Sequence, residues 1–152
     1  MKTAVVPLTA EHPRWGEAAA FAEASAWRAG PYLARRMREN AFRDWERVFL
    51  LEADGRLAGY CTLTARDALP EKWGFSPFIG FVYVAEAFRG RRLSEAMIGA
   101  VMEYAARCGF GRAYLVSGEK GLYEKYGFRL LGEYETVFGT AEQLFVKETA
   151  DR

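Results

Sequence analysis

Three arginines fall within the four positions 89–92, in the segment Arg89-Gly90-Arg91-Arg92-Leu93-Ser94. The segment stands between an apolar run and a helical pattern, so we expect unpaired backbone N–H groups here, at the start of a helix. Such N–H groups, the positive end of the helix dipole and arginine side chains all favour phosphate, and Gly90 lets the backbone approach an anion closely. The residues therefore predict a pyrophosphate site. The alternative is a solvated arginine surface in which Gly90 only makes the turn.

The segments on either side of this turn have strong patterns. Before it, IGFVYVAEA at 79–87 is a continuous apolar run, which is typical of a buried strand. After it, apolar residues recur at helical i, i+3 and i+4 spacing from Leu93 to Cys108, and Gly109 stands where helices commonly end. The pattern predicts a strand, a turn and a long helix, with the Cys108 thiol on the buried face.

The other segments alternate between strand and helix patterns. In chain order they predict a strand at 2–8, a helix from Pro13 to about Arg28, a helix opened by Pro31, a hairpin over 47–64 around Asp54-Gly55, an aromatic-rich loop at 65–78, a strand at 112–117, a short helix in KGLYEKYG, and closing strands in FRLLGEYETVF and EQLFVKE. This order mixes one crossover with hairpins. It predicts an α/β fold with a mixed, mostly antiparallel sheet of six to seven strands flanked by helices on both faces, in a single domain over 1–152.

The composition excludes several classes of function. The chain has 152 residues and a net charge of +1, from 21 Lys plus Arg against 20 Asp plus Glu, so we expect no nucleic-acid partner. The apolar run near the start, AVVP, is too short for a signal peptide or a membrane span, so we expect a cytoplasmic protein with no membrane partner. His12 is the only histidine and the two cysteines lack CxxC spacing, so we expect no metal.

Two motifs resemble those of the GNAT N-acetyltransferases: VAEAFRGRRLSEAMI and, about thirty residues later, LYEKYGF. The resemblance spans roughly 79–132 and implies a GNAT-like fold with acetyl-CoA as cofactor and coenzyme A as product. In that family the turn after the fourth strand reads Arg/Gln-x-x-Gly-x-Gly/Ala and holds the pyrophosphate, which implies this role for Arg89, Gly90, Arg91, Arg92, Leu93 and Ser94. Arg92 replaces the first glycine of the motif and Ser94 the second small residue. We expect Arg92 to have ordinary helical dihedrals and an outward side chain.

The resemblance also implies roles for the strand before the turn. The backbone of Val82, Tyr83 and Val84 would pair with the pantetheine arm, whose peptide-like amides suit a strand edge. The amide near Val84 would stabilise charge on the thioester oxygen. Ser117 would provide a polar contact in place of an asparagine that the family often has.

Tyr123, in LYEKYGF, stands where many of these enzymes have a tyrosine that protonates the departing CoA thiolate. A phenol with a pKa of about 10 is a suitable donor for that step. The alternative is an aromatic residue that only packs in the core. Tyr126 is the rival tyrosine in this motif, and we interpret it as a packing residue.

The acceptor amine must lose a proton before it attacks, because an alkyl ammonium has a pKa of about 10.4. Glu119 is the predicted base and Glu52 the second candidate, although each could equally be a surface carboxylate. We expect His12 to be exposed and not to act as the base. Cys61 and Cys108 both have core-like patterns, which disfavours an acetyl-cysteine intermediate.

Together these features predict an acetyl-CoA-dependent N-acetyltransferase. Its acceptor would be the primary amine of a small molecule or a peptide, which attacks the thioester directly in a ternary complex. The alternative is a non-catalytic acyl-CoA-binding sensor or interaction module with the same fold. The resemblance places the acceptor beside the first two helices and the loop at 65–78, and the closing strands would allow a homodimer.

Overall fold

The computed structural model describes residues 1–150. In this range the strands and helices follow one another in the predicted order, which is confirmed. They are β1 (Thr3–Leu8), α1 (Trp15–Ala24), α2 (Gly30–Arg38), β2 (Arg47–Ala53), β3 (Arg56–Thr64), β4 (Phe78–Val84), α3 (Leu93–Arg107), β5 (Arg112–Ser117), α4 (Leu122–Lys125), β6 (Arg129–Glu135) and β7 (Ala141–Glu148), with short 3-10 helices at Glu71–Trp73 and Glu86–Phe88. Within residues 1–150 none of these helices has the length and hydrophobicity to cross a bilayer.

Several predicted elements were longer than the observed ones, among them the first helix and the strand before the arginine turn. The first helix ends at Ala24 rather than near Arg28, because the Ser25 backbone N–H and hydroxyl both donate to the Ala22 carbonyl. A side chain that binds the backbone in this way competes with continuation of the helix. The strand predicted over 79–87 ends at Val84, and the chain enters the 3-10 helix at Glu86–Phe88.

The strands form one seven-stranded sheet in the order β1-β2-β3-β4-β5-β7-β6. β1 pairs with β2, and β7 with both β5 and β6, in antiparallel fashion. β4 and β5 run parallel and pair Phe78 with Tyr114 and Ile79 with Leu115. The predicted fold class, a mixed α/β sheet flanked by helices, is therefore confirmed.

The described chain divides into two compact units. The first comprises Met1–Thr62 and Phe81–Ala100, and the second comprises Leu63–Gly80 and the described residues from Val101 onward. The prediction of a single domain over 1–152 stays a prediction.

The core of the first unit packs α1 and α2 against strand residues that include Leu8, Leu50 and Tyr60. The Tyr60 ring stacks on the Tyr83 ring with a centroid separation of 5.0 Å, and its hydroxyl lies 2.9 Å from the Ser25 hydroxyl oxygen. Burial raises the pKa of Tyr60 to about 12. Gly59 is required beside this stack, because a Cβ at that position would collide with the Tyr83 carbonyl oxygen. Close approach of β3 to β4 therefore positions Tyr83 in the core.

The second unit contains its own aromatic core. The Phe75 ring lies 5.0 Å from the Tyr114 ring and 5.5 Å from the Tyr134 ring, measured between centroids. The predicted loop over 65–78 is thus packed on β5 and β6. The Val137 N–H donates to the Ala68 carbonyl oxygen at 2.7 Å, which joins the turn after β6 to the same loop.

Candidate active site

The end of β4 is irregular where pantetheine binding was predicted. Phe81 has a φ of +50°, which is uncommon for a residue other than glycine and interrupts the regular pleat. After it, Tyr83 is 8% exposed with its ring in the core, while Val82 and Val84 are half-buried. The Tyr83 side chain therefore has a packing role, and only its backbone is available for the predicted pairing.

The turn from β4 into α3 contains two left-handed residues. Gly90 has a φ of +82° and Arg92 a φ of +56°. The expectation of ordinary helical dihedrals for Arg92 was therefore wrong, because the backbone needs a left-handed residue immediately before Leu93 starts the helix. Glycine adopts this conformation without the steric cost of about 1 kcal/mol that other residues incur. The GNAT turn motif has a glycine at the position of Arg92. The left-handed backbone found here is a physical reason for that glycine.

The Arg92 side chain points outward as expected and is 68% exposed, and its Nε lies 2.7 Å from Glu95 Oε1. The Arg89 side chain instead bonds to the strand, because its Nε donates to the Val84 carbonyl oxygen at 2.9 Å. Its guanidinium carbon lies 5.9 Å from the centre of the Tyr83 ring. Arg89 therefore links the turn to the end of β4, and its Nη groups are not used in that bond.

These features fit a diphosphate. Left-handed residues in a turn produce the concave N–H arrangements that bind anions, and the helix dipole of α3 adds positive potential. Arg91 is exposed, whereas Leu93 is 7% exposed and anchors the first turn of the helix in the core. Ser94 is half-buried. Within residues 1–150 no cluster of three or more His, Cys, Asp or Glu side chains could hold a metal ion.

The segment from Ser117 to Gly127, in the second unit, is held by hydrogen bonds from a buried amide. Gln143 Nε2 donates to the carbonyl oxygens of Ser117 at 3.0 Å and Glu119 at 2.9 Å, and Gln143 is only 6% exposed. The Glu119 N–H donates to the Ser117 hydroxyl oxygen at 3.0 Å. Sequence reasoning missed Gln143. The one feature of the sequence that could have identified Gln143 is its side-chain amide next to the apolar residues of EQLFVKE.

Tyr123 lies on α4, which runs between the left-handed glycines Gly121 and Gly127. It is 6% exposed, and its ring makes contacts at centroid distances between 5.7 and 6.0 Å with Tyr126, Phe128 and Phe145. Tyr126 is 8% exposed. Burial therefore does not distinguish Tyr123, the predicted proton donor, from Tyr126. The role of Tyr123 stays a prediction.

The two candidate bases differ in their surroundings. Glu52 forms an ion pair with Arg14, in which Arg14 Nη1 lies 3.0 Å from Glu52 Oε1. The Glu52 carboxylate is therefore already neutralised by a cation. Glu119 is exposed. His12 is half-buried rather than exposed, and its Nδ1 accepts the Arg14 N–H at 3.0 Å. Of these groups, Glu119 remains the predicted base.

The cysteines also differ from each other. Cys61 is buried as predicted, and burial raises the pKa of its thiol. Cys108 is exposed, so the prediction of a buried thiol was wrong. The reason is that α3 ends at Arg107 and the left-handed Gly109 turns the chain, which removes Cys108 from the helical face.

Each unit contains some of the predicted site residues and orders them by its own contacts. Val82 to Ser94 belong to the first unit, in which Arg89 joins the turn to the strand end. Ser117, Glu119 and Tyr123 belong to the second, in which the Ser117 hydroxyl and the Gln143 amide order the backbone.

The mixed sheet, with a strand that leads through this turn into a long helix, is the architecture of an acetyltransferase class. The family model described as the acetyltransferase (GNAT) family matches residues 13–128. The chain therefore belongs to the GNAT acetyltransferase family and is an acetyltransferase enzyme. No curated protein matches the chain.

Solved structures share the fold at low sequence identity. An aminoglycoside 6′-acetyltransferase type Ii has a TM-score of 0.73 at 12% identity, covering 98% of this chain and 100% of that one. A GNAT family acetyltransferase from Elizabethkingia anophelis with acetyl-CoA bound has a TM-score of 0.65 at 18% identity, covering 96% and 97%. The Salmonella typhimurium acetyl transferase that modifies the N-terminal serine of ribosomal protein L7/L12 has a TM-score of 0.67 at 14% identity, covering 99% and 96%. At these identities the similarity shows the fold alone.

Proposed function

We propose that this protein transfers an acetyl group from acetyl-CoA to the primary amine of a small molecule or peptide by direct attack of the amine. The observation that carries the proposal is the turn after β4, in which Gly90 and Arg92 are both left-handed immediately before α3. In a chain of the GNAT family, this is the backbone arrangement expected to bind a diphosphate.

Binding would use mainly backbone groups. The N–H groups of residues 90–94 and the guanidinium of Arg91 would hold the diphosphate, with the Nη groups of Arg89 beside them. Val82, Tyr83 and Val84 would offer backbone N–H and C=O groups to the pantetheine amides. The structure of the Elizabethkingia anophelis relative with acetyl-CoA bound supports this cofactor for the fold.

For the chemical step, acetyl-CoA supplies the acetyl thioester and a thiolate leaving group. The Val84 amide would polarise the thioester carbonyl, and Glu119 would accept the proton that the amine must lose. Tyr123 would donate its phenolic proton to the sulfur, and Ser117 would add a polar contact. The C–N bond would form as the C–S bond breaks, and the amide nitrogen would then lose its second proton to the Tyr123 phenolate, which restores the phenol. The net proton released is the one that Glu119 takes from the ammonium and passes to solvent.

The role of Tyr123 can be tested against a matched tyrosine. Tyr123→Phe removes only the hydroxyl, so we expect turnover to fall about 10²-fold or more with little change in acetyl-CoA affinity. Tyr126→Phe is the control, because Tyr126 is similarly buried and lies in the same segment. Equal turnover in the two variants would contradict the assignment.

Calorimetry with acetyl-CoA and CoA, followed by a thiol-release assay over a panel of amines, tests the function as a whole. We expect binding of both molecules and amine-dependent release of thiol. Binding without release would favour a sensor or interaction module, and absence of binding would remove both functions. A cytoplasmic location and a homodimer stay predictions.

A further inference from the structure

We propose that a pocket on the first two helices binds a carboxylate of the acceptor, so that the acceptor is an amine that also carries a carboxylate, such as a free amino acid. This inference rests on the proposed function. The pocket has a volume of about 590 Å³ and is open to solvent, with its charged lining residues exposed. Its charged and aromatic lining residues are Glu23, Arg28, Tyr32, Arg35, Arg38 and Glu39.

The charges in the pocket favour an anion. Arg38 is already neutralised by an ion pair with Glu23. Among residues 1–150, Arg28, Arg35 and Glu39 form no such pair, which leaves two free guanidinium groups against one free carboxylate. Arginine presents a planar fork of N–H donors that matches a carboxylate, so Arg28 and Arg35 are suited to bind one.

Tyr32 provides a flat wall beside these cations. It is 43% exposed, and the Arg35 guanidinium carbon lies 5.3 Å from its ring centre. A guanidinium over an aromatic ring loses less conformational freedom when it binds a ligand, because its side chain is already oriented. Pro31 adds further apolar surface, so the aliphatic or aromatic part of an acceptor can pack there.

The pocket is connected to the strand that leads into the diphosphate turn. The Tyr32 ring lies 5.9 Å from the Phe81 ring, measured between centroids, and Phe81 is the left-handed residue within β4. Val82, the first residue of the predicted pantetheine segment, follows Phe81 directly. A ligand that packs on Tyr32 would therefore contact the ring next to Phe81, a residue of the strand expected to bind the acyl donor.

Matched ligands with and without the carboxylate test the inference. Because an α-carboxylate also changes the pKa of the amine, the change of the ligand ratio in arginine variants, and not the ratio alone, carries the test. For phenylalanine against 2-phenylethylamine, and for leucine against 3-methylbutylamine, we expect kcat/KM to be about tenfold higher for the amino acid. Arg28→Gln and Arg35→Gln should each reduce this ratio several-fold, because kcat/KM for the amino acid falls when a carboxylate-binding guanidinium is removed. Arg107→Gln, which removes an exposed arginine from the last turn of α3, is the control and should preserve the ratio.

A binding experiment separates failure of this inference from failure of the proposed function. N-acetylphenylalanine and N-acetyl-2-phenylethylamine have no ionisable amine, so their affinities, measured by NMR titration without acetyl-CoA, differ only through the carboxylate. We expect the carboxylate probe to bind about tenfold more tightly and to shift the Arg28 and Arg35 Nε–H resonances. Carboxylate-dependent binding in a protein that transfers no acetyl group would support the pocket and contradict the enzymatic mechanism.

Three results would overturn the inference while leaving acetyl transfer intact. They are equal affinity for the two acetylated probes, a ligand ratio that is unchanged in both arginine variants, and a preference for the simple amines. The last result would mean that Glu39 takes the cationic group of an acceptor and that the arginines are a solvated face.

Discussion

The turn at 89–94 and the segment at 117–127 both carry residues predicted to act on acetyl-CoA, yet they are stabilised differently. In the first, a left-handed position is occupied by Arg92, whose exposed side chain pairs with Glu95. In the second, left-handed positions are glycines, and the buried amide of Gln143 binds two carbonyl groups. The first turn is held in a conformation that costs free energy, whereas the second is stabilised by buried hydrogen bonds. Single substitutions should therefore have unequal and even opposite effects on stability.

Gln143→Leu should have the largest effect. The substitution removes both hydrogen bonds and leaves the Ser117 and Glu119 carbonyl oxygens without that donor, so we expect the free energy of unfolding to fall by about 2 kcal/mol. Urea denaturation measures this change. Glu148→Gln, on the exposed end of the same strand, is the control and should change stability by less than about 0.5 kcal/mol. Similar losses in the two variants would show that Gln143 does not order the segment.

The strand before the first turn depends on Tyr60, which stacks on Tyr83. Because the Ser25 hydroxyl donates to the Ala22 carbonyl, its oxygen is left to accept the Tyr60 proton. Tyr60→Phe should therefore lower the free energy of unfolding by about 1 kcal/mol at neutral pH.

The same residue predicts a pH dependence. The pKa of Tyr60 is raised from 10.0 to about 12 by burial, so the folded state holds the proton more tightly than the unfolded state. This contribution to stability is fully present below pH 10 and is lost as the pH rises through about 12. Stability of the wild type should thus fall more steeply than that of Tyr60→Phe over this range, as measured by urea denaturation at each pH. Parallel curves would contradict the assignment.

Arg92→Gly should have the smallest effect, with the opposite sign. Glycine relieves the left-handed strain, which outweighs its own entropic cost and the loss of an exposed ion pair, so we expect a gain of about 0.5 kcal/mol. Arg92→Ala is the control, because it removes the same ion pair but keeps a Cβ. Alanine should be about 1 kcal/mol less stable than glycine at this position. An alanine variant as stable as the glycine variant would mean that the turn stores no strain.

Most of the element order was predictable because it depends on local patterns. Asp54-Gly55 marked the hairpin, and both residues are left-handed as such a two-residue turn requires. Pro31 lies in the first turn of α2, where its fixed φ favours helix formation. The apolar periodicity from Leu93 onward matched α3 to within one residue of its end.

The predicted site was less complete. The sequence identified the arginine turn, but not the left-handed backbone of Arg92, since arginine has no local preference for that conformation. It identified Glu52 as a candidate base, but not its ion pair with Arg14, which lies far away in the chain. Gln143 was missed because a strand pattern does not show which backbone groups a buried amide will meet.

The sequence by itself thus determined the family motifs, the order of strands and helices, and the place of the arginine turn. These depend on residue type and on periodicity over a few positions. Tertiary structure alone decided that Tyr83 is buried against Tyr60 and that Arg28 and Arg35 line a pocket with Tyr32. Such outcomes depend on which distant segments meet when apolar faces are buried, and the charge or hydrophobicity of a single residue does not specify its neighbours.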